Sequence, residues 1–212
     1  MLICIWGNRM QYFGEVKNNF QQIFSDFDID WLISTWDDVN TDGHDFKFIL
    51  KSPQPTTSQL YDINFIGTSQ IRHHPEYEKL KEGQYAQVFH KTNIHQFIKS
   101  NNLQYDALVI SRNDLWFETN YIFDFEKEIV YVPLNFMGGP GTLNDHFSCG
   151  KFDYVLKSMG FSSVREYVDF LEESDPWNPE HALMLLFEKL NISWMEFTSQ
   201  KYRLFPDRYW EF

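Results

Sequence analysis

The sequence predicts an α/β fold: a mostly parallel central sheet flanked by helices, with a helical C-terminal third. Three observations carry that expectation. Leu2–Trp6, Ile29–Ser34, Ala107–Ile110 and Ile129–Val132 are short apolar runs without alternation, as strands buried on both faces require. Between the first two, Phe13, Val16, Phe20, Ile23 and Phe24 recur at helical spacing, so the chain opens strand, helix, strand. That order builds a parallel sheet through a right-handed crossover. Helix-start signals then gather late in the chain, at Ser163-Val164-Arg165-Glu166 and Asn178-Pro179.

The remaining elements follow in order. Gly7-Asn8-Arg9-Met10 breaks the first strand, and Thr35-Trp36-Asp37-Asp38 ends the second. Phe46–Leu50 and Tyr61–Ile66 read as short strands, with Pro53 and Pro55 punctuating the loop between them. Tyr85, Val88, Phe89, Phe97 and Ile98 support a helix with a slip in phase. A helix is expected from about Asp145 to Met159, ending at Gly160, and two more start at the capping box and at Pro179. No internal repeat or low-complexity tract interrupts the chain, so 212 residues form one domain.

Composition narrows the function classes. Lys and Arg total 18 against 30 Asp and Glu, a net charge of −12, which repels nucleic acid overall but leaves room for a local basic pocket. The two cysteines, Cys4 and Cys149, form neither a disulfide framework nor a metal-binding spacing. The N-terminus has no basic leader and no run approaches the ~20 apolar residues of a membrane span, so a cytoplasmic protein without a transmembrane segment is expected. No heptads are present, which points to a monomer or small homo-oligomer. Aromatics make up 18% of the chain, enough to fill the core and still offer faces on which sugar rings stack.

In open α/β sheets the ligand crevice lies beyond the carboxyl ends of the strands. The first strand delivers Asn8 and Arg9 there, the second Thr35, Asp37 and Asp38, and the strand at Ala107 delivers Ser111, Arg112, Asn113 and Asp114. A carboxylate just past a buried strand suits Mg²⁺ or Mn²⁺, hard ions that share sites with substrate phosphates. Arg112 lies two residues before Asp114, on the same side of an extended chain, so both could face one diphosphate. The plainer alternative is an Arg–Asp surface pair at a strand end.

The order Gly7-Asn8-Arg9, Ser34-Thr35-Trp36-Asp37, Tyr105 to Leu115 with its Arg112-Asn113-Asp114, then Gly138-Gly139, Asn144-Asp145-His146-Phe147 and Asn178-Pro179-Glu180-His181-Ala182-Leu183 resembles a group of small bacterial and viral glycosyltransferases. The resemblance runs from about Leu2 to Leu190 and is weakest between Val39 and Gly83. It implies a GT-A-type fold, with 1–115 as the nucleotide-sugar-binding half and 116–212 as the acceptor-binding half. It also implies a nucleotide-sugar donor, expected to be UDP-linked, and a saccharide or other hydroxyl acceptor. Asp114 resembles the last Asp of that family's Asp-x-Asp motif, which binds Mn²⁺ or Mg²⁺ and the donor diphosphate; Arg112 replaces the first Asp. Either another ligand completes the ion's shell, or Arg112 takes over part of the ion's charge. Both devices stabilise a departing nucleoside diphosphate. Gly7, Asn8 and Arg9 match the turn that holds the nucleotide, and Thr35 and Asp37 the edge that meets base or ribose; turn and capping chemistry would use the same residues.

Asp145 and Glu180 compete as general base on the acceptor hydroxyl, a direct displacement that inverts the anomeric centre. Asp145, after a glycine-rich loop, is favoured for catalysis and Glu180 for an acceptor-side role, although both residue types also suit helix starts. His146 and His181 are conceivable third metal ligands. Gln87 and Lys91 share a helix face at i, i+4, from which Lys91 could reach phosphate or simply face solvent. Trp36, Trp116, Trp177 and Tyr209 are stacking candidates or core, and the basic stretch Lys201–Arg208 could fold over the diphosphate or pack as a tail. A nucleotidyltransferase and a non-catalytic nucleotide- or carbohydrate-binding protein are the competing readings. The former needs two or more carboxylates for paired metals.

Overall fold

A computed structural model describes residues 1–8, 10–56, 77–134, 142–174, 176, 179–204 and 208–211. Its centre is a seven-stranded sheet in the order β3-β2-β1-β4-β7-β6-β8. β1 (Leu2–Trp6), β2 (Asp30–Trp36), β3 (Phe48–Ser52) and β4 (Ala107–Arg112) run parallel, with β1 between β2 and β4. β7 (Phe147–Lys151) is antiparallel to both β4 and β6 (Val130–Pro133), and β8 (Trp194–Phe197) returns parallel to β6. β1 is buried along its whole length because helices cover both faces, which is why its apolar run shows no alternation. A second, three-stranded sheet joins β5 (Leu115–Glu118) to β9 (Lys201–Leu204) and β10 (Arg208–Glu211) in the order β10-β9-β5.

The two sheet faces carry separate cores. One side packs α1 (Phe13–Ile23) through Phe13, Val16 and Phe20 against Ile3, Ile5, Trp31, Ile33 and Val109, extended by Phe117, Phe147 and Phe197. The other packs α2 (Tyr77–Ser100) through Ile94 and Ile98 onto Leu2, Cys4, Leu32 and Ile110, with Phe152 and Val155 of α3 (Phe152–Ser158) alongside. A third cluster ties Trp36 and Tyr85 to Phe170 and Leu171 of α4 (Val164–Ser174) and to Ala182 and Leu186 of α5 (Pro179–Lys189). Cys4 and Cys149 are both buried and free, and burial pushes their thiols well up, so neither is a nucleophile.

Two expectations need correction. The helix expected from Asp145 to Met159 is a strand, β7, followed by the short helix α3. Antiparallel pairing to β4 and β6 outweighs the local helix-start signal at Asp145, and Gly150 makes that pairing possible: a Cβ there would lie 2.5 Å from the Ile129 carbonyl oxygen. The C-terminal third also carries three strands, β8 to β10, beside its helices. The other helix starts hold. Glu166 N–H bonds to Ser163 Oγ at 3.2 Å, while the Glu166 carboxylate reaches back to the N–H and hydroxyl of Ser162, one residue before the expected box. Pro179 opens α5 at its first position. The expected strand Tyr61–Ile66, the loop Gly138–Gly141, Arg9, Trp177 and Asn178 lie outside the described residues. No helix among the described residues is long and apolar enough to cross a membrane.

Candidate active site

The carboxyl ends of β1, β2 and β4 meet in one row, since Trp6 registers with Ser34 on one side and Arg112 on the other. Backbone closes the gaps between the strands: Gly7 N–H donates to Ser34 O at 3.3 Å and Asn113 N–H to Trp6 O at 3.0 Å. Gly7 has φ of +133°, and a Cβ on it would sit 2.4 Å from Asn113 Oδ1. Only glycine lets the β1 turn lie against the buried Asn113 side chain, which also donates to Met10 Sδ at 3.7 Å. The Thr35 hydroxyl donates to Gly7 O at 2.7 Å, so this residue braces the turn. Ser111 is fully buried in the sheet, its hydroxyl on Arg112 O at 3.1 Å. Asn8, Asp37 and Asp38 are the exposed members of the row, Asp37 being fixed through its N–H to Ser52 O at 2.8 Å.

Arg112 and Asp114 pair with each other. Arg112 Nε meets Asp114 Oδ1 and Nη2 meets Oδ2, both at 2.8 Å, a bidentate fork. This is not the surface pair of the plainer reading, because the Asp114 side chain is 3% exposed and that of Arg112 27%. The guanidinium lies 5.7 Å from the Trp6 ring centre, which holds its plane from below. Asp114 thus gives both carboxylate oxygens to a cation supplied by the chain. Among the described residues no cluster of His, Cys, Asp and Glu could hold a metal ion.

Beside this fork lies a second group of charges. Asp145 is buried; Gln87 Nε2 donates to its Oδ2 at 2.8 Å, and Lys91 Nζ donates to its carbonyl oxygen at 3.1 Å. His146 Nε2 is 3.5 Å from Asp145 Oδ1, and the Arg112 N–H donates to the His146 carbonyl at 3.1 Å. The i, i+4 pair on α2 therefore meets Asp145 rather than solvent, Gln87 at its carboxylate and Lys91 at its backbone carbonyl. Burial raises the Asp145 pKa, but His146, Lys91, Gln87 and Arg112 together outweigh it and hold the carboxyl below its ordinary value. Burial lowers Lys91, with Asp145 opposing and Arg112 adding to the shift. Burial likewise takes His146 down to about 4, so its imidazole is neutral at pH 7.

Glu180, in the first turn of α5, behaves in the opposite way. Burial and then the Asp145 charge raise its pKa to about 7, while its carbonyl accepts from Leu143 N–H at 3.1 Å. Tyr167 of α4 feels both carboxylates and is pushed well up, chiefly by burial. The two carboxyl groups are pushed in opposite directions, Asp145 down and Glu180 up. Tyr167 was not singled out by sequence; its position four residues after the helix start of α4 carries no local signal of the partners α5 and β7 bring to it.

Three further candidates have structural roles. Trp36 is core, its ring 4.3 Å from His90 and 5.3 Å from Phe89. Trp116 packs half-buried against the α1-side core. Lys201 pairs with Glu118 across β9 and β5 at 3.2 Å, so the basic stretch begins as a strand rather than a tail.

No family model matches the chain, and no curated protein does. Among solved structures, an active-site mutant of LgtC matches with a TM-score of 0.51 at 10% identity, over 87% of this chain and 69% of that one. Galactosyltransferase LgtC in complex with donor and acceptor sugar analogues matches with a TM-score of 0.49 at 12% identity, with the same coverage. A nucleoside-diphosphate-sugar pyrophosphorylase from Vibrio cholerae RC9 matches at 0.47 and 10% identity, over 93% and 91%. The first likeness is one of fold: this chain has a GT-A-like α/β architecture. The other two are looser.

Proposed function

We propose that the protein is a glycosyltransferase that moves a sugar from a nucleotide-sugar donor, UDP-linked in the simplest case, to a hydroxyl acceptor. The observation that carries this reading is the Arg112–Asp114 fork beside the Asp145–Glu180 pair, at the strand ends of a GT-A-like sheet. The nucleotide would lie against the Gly7 turn, beside the exposed Asn8 and Asp37. The diphosphate would meet the Arg112 guanidinium, whose charge offsets the negative charge that grows as the bond from anomeric carbon to phosphate oxygen breaks. Lys91 adds a second cation within range of Arg112. Asp114 orients the guanidinium.

Glu180 is the better general base. A carboxylate with a pKa near 7 is matched to the pH at which it must take and release a proton, whereas Asp145 is held ionised and hydrogen-bonded. The acceptor oxygen attacks the anomeric carbon, its proton passes to Glu180, and the diphosphate leaves toward Arg112. Asp145 keeps the Glu180 pKa high and so sets the working range of the base.

The test is hydrolysis or transfer of nucleotide sugars, followed as release of nucleoside diphosphate. Arg112→Ala is expected to lower turnover about 10²- to 10³-fold, the usual loss for one charge-stabilising donor, and to weaken donor binding as well. Turnover that ignores this substitution would overturn the reading. Pyrophosphate release from a nucleoside triphosphate and a sugar phosphate would replace it with the nucleotidyltransferase. Binding of the donor without turnover would leave a carbohydrate- or nucleotide-binding protein.

A further inference from the structure

The Asp145 cluster opens on a cavity of about 70 Å³ between α2, α3, α4 and α5, above the β4–β7 pair. Its lining is mixed: Gln87, Lys91 and Asp145, with hydroxyls of Thr92, Ser148, Ser158 and Tyr167, share it with apolar residues such as Met159, Leu183 and Leu186. A purely apolar occupant would leave Lys91 and the Asp145 carboxylate desolvated against it, at a cost. A hydroxyl would leave most of the lining facing a polar group. The space exceeds the ~10–15 Å³ that one water needs and is well short of the ~150 Å³ of an apolar cavity that binds benzene. The occupant is therefore small and amphiphilic, with a donor and an acceptor for the polar lining and a methyl-sized apolar end.

We propose that this cavity receives the acetamido group of a 2-acetamido sugar, carried as the transferred sugar of the nucleotide donor. The assignment rests on the glycosyltransferase reading and narrows it. An acetamido group has an N–H for the Asp145 carboxylate, a carbonyl for the Lys91 ammonium and a methyl for Met159, Leu183 and Leu186. Its sugar would sit next to the diphosphate, and Arg112 lies beside the cavity, its N–H on the carbonyl of His146, the neighbour of the lining residue Asp145. The same limited volume favours a two-carbon acyl group over a longer one.

The experiment compares UDP-N-acetylglucosamine with UDP-glucose, and UDP-N-acetylgalactosamine with UDP-galactose, by kcat/KM for donor hydrolysis. UDP alone is tested for binding in parallel. The acetamido donor of at least one pair is expected to be favoured about 10- to 200-fold, the range a small apolar pocket delivers. Its N-propionyl analogue is expected to fall back toward the plain hexose. Leu183→Phe, which fills the cavity, should narrow the ratio to about threefold. Because the N-propionyl arm uses the unaltered protein, it stands even if that variant does not fold. Hexose donors turned over as well as acetamido donors, or an N-propionyl donor accepted equally, would overturn the acetamido assignment and leave the glycosyltransferase reading intact. Absence of both UDP binding and turnover of every donor would overturn the two together.

Discussion

At neutral pH the side chain of Glu180 is near the midpoint of its titration, and this single group links stability to activity. Its ordinary pKa is 4.5 and its folded value about 7, raised by burial and then by Asp145. The folded chain therefore holds a proton that the unfolded chain loses between those values. The stability this gives is full below about pH 4.5 and is lost as pH rises through 7. Glu180→Gln, uncharged at every pH, is expected to be more stable than the wild type at pH 8 by on the order of 2 kcal/mol. At pH 4 the two should match. Equal urea midpoints at pH 8 would show that Glu180 is not desolvated. The donor-transfer rate of the wild type should rise with pH through about 7 as Glu180 ionises, and Asp145→Asn should move that limb to lower pH. Gly7 makes a different demand. Gly7→Ala brings both a disfavoured φ and a 2.4 Å approach to Asn113, so a loss of about 2 kcal/mol is expected, visible as a lower melting temperature.

Among the elements, β7 shows how pairing outranks local preference. Asn144-Asp145 reads locally as a helix start, yet the segment that follows is held as a strand by β4 on one side and β6 on the other. Gly150→Ala tests this: its Cβ would press on the Ile129 backbone at 2.5 Å and on Val155 at 3.1 Å, and an overpacking loss of about 2 kcal/mol is expected. A neutral substitution would mean that β6 is free to shift. On α2, His90 is fully buried against Trp36, with Ser34 Oγ at 2.9 Å from Nδ1, and burial lowers its pKa to about 4. The unfolded chain takes up a proton near pH 6.5 that the folded chain refuses until about 4. Stability therefore falls as pH drops between those values, opposite in sign to the Glu180 contribution over much of the same window. In a Glu180→Gln background the acid slope should stand out, and His90→Gln should flatten it. An unchanged slope would assign the acid sensitivity elsewhere, with His146 the next group to test.

The whole molecule was legible in the sequence where a residue's role depends on its neighbours along the chain. β1, β2, β4 and β6 are continuous apolar runs because each is covered on both faces, and α1 shows its face at the right spacing. The meeting of polar residues at the strand ends followed from topology alone. Partnership across the chain was not legible. That Arg112 would turn onto Asp114, that Gln87 and Lys91 would take Asp145 fifty-odd residues away, and that Tyr167 would share a wall with Glu180 depend on how α2, α4 and α5 dock. The strands of the small sheet were hidden for a similar reason: β9 is defined by its partners β5 and β10 rather than by an apolar run of its own.

The charge proposed to receive the diphosphate is tested most directly by calorimetric titration of the protein with UDP and UDP-sugars, in chelator and in Mn²⁺. Binding is expected to persist in chelator, because the Arg112 guanidinium held by Asp114 supplies the cation. Arg112→Ala should weaken it at least tenfold, about 1.4 kcal/mol. Binding that needs Mn²⁺ and survives the loss of Arg112 would contradict this and return Asp114 to the role of a metal ligand.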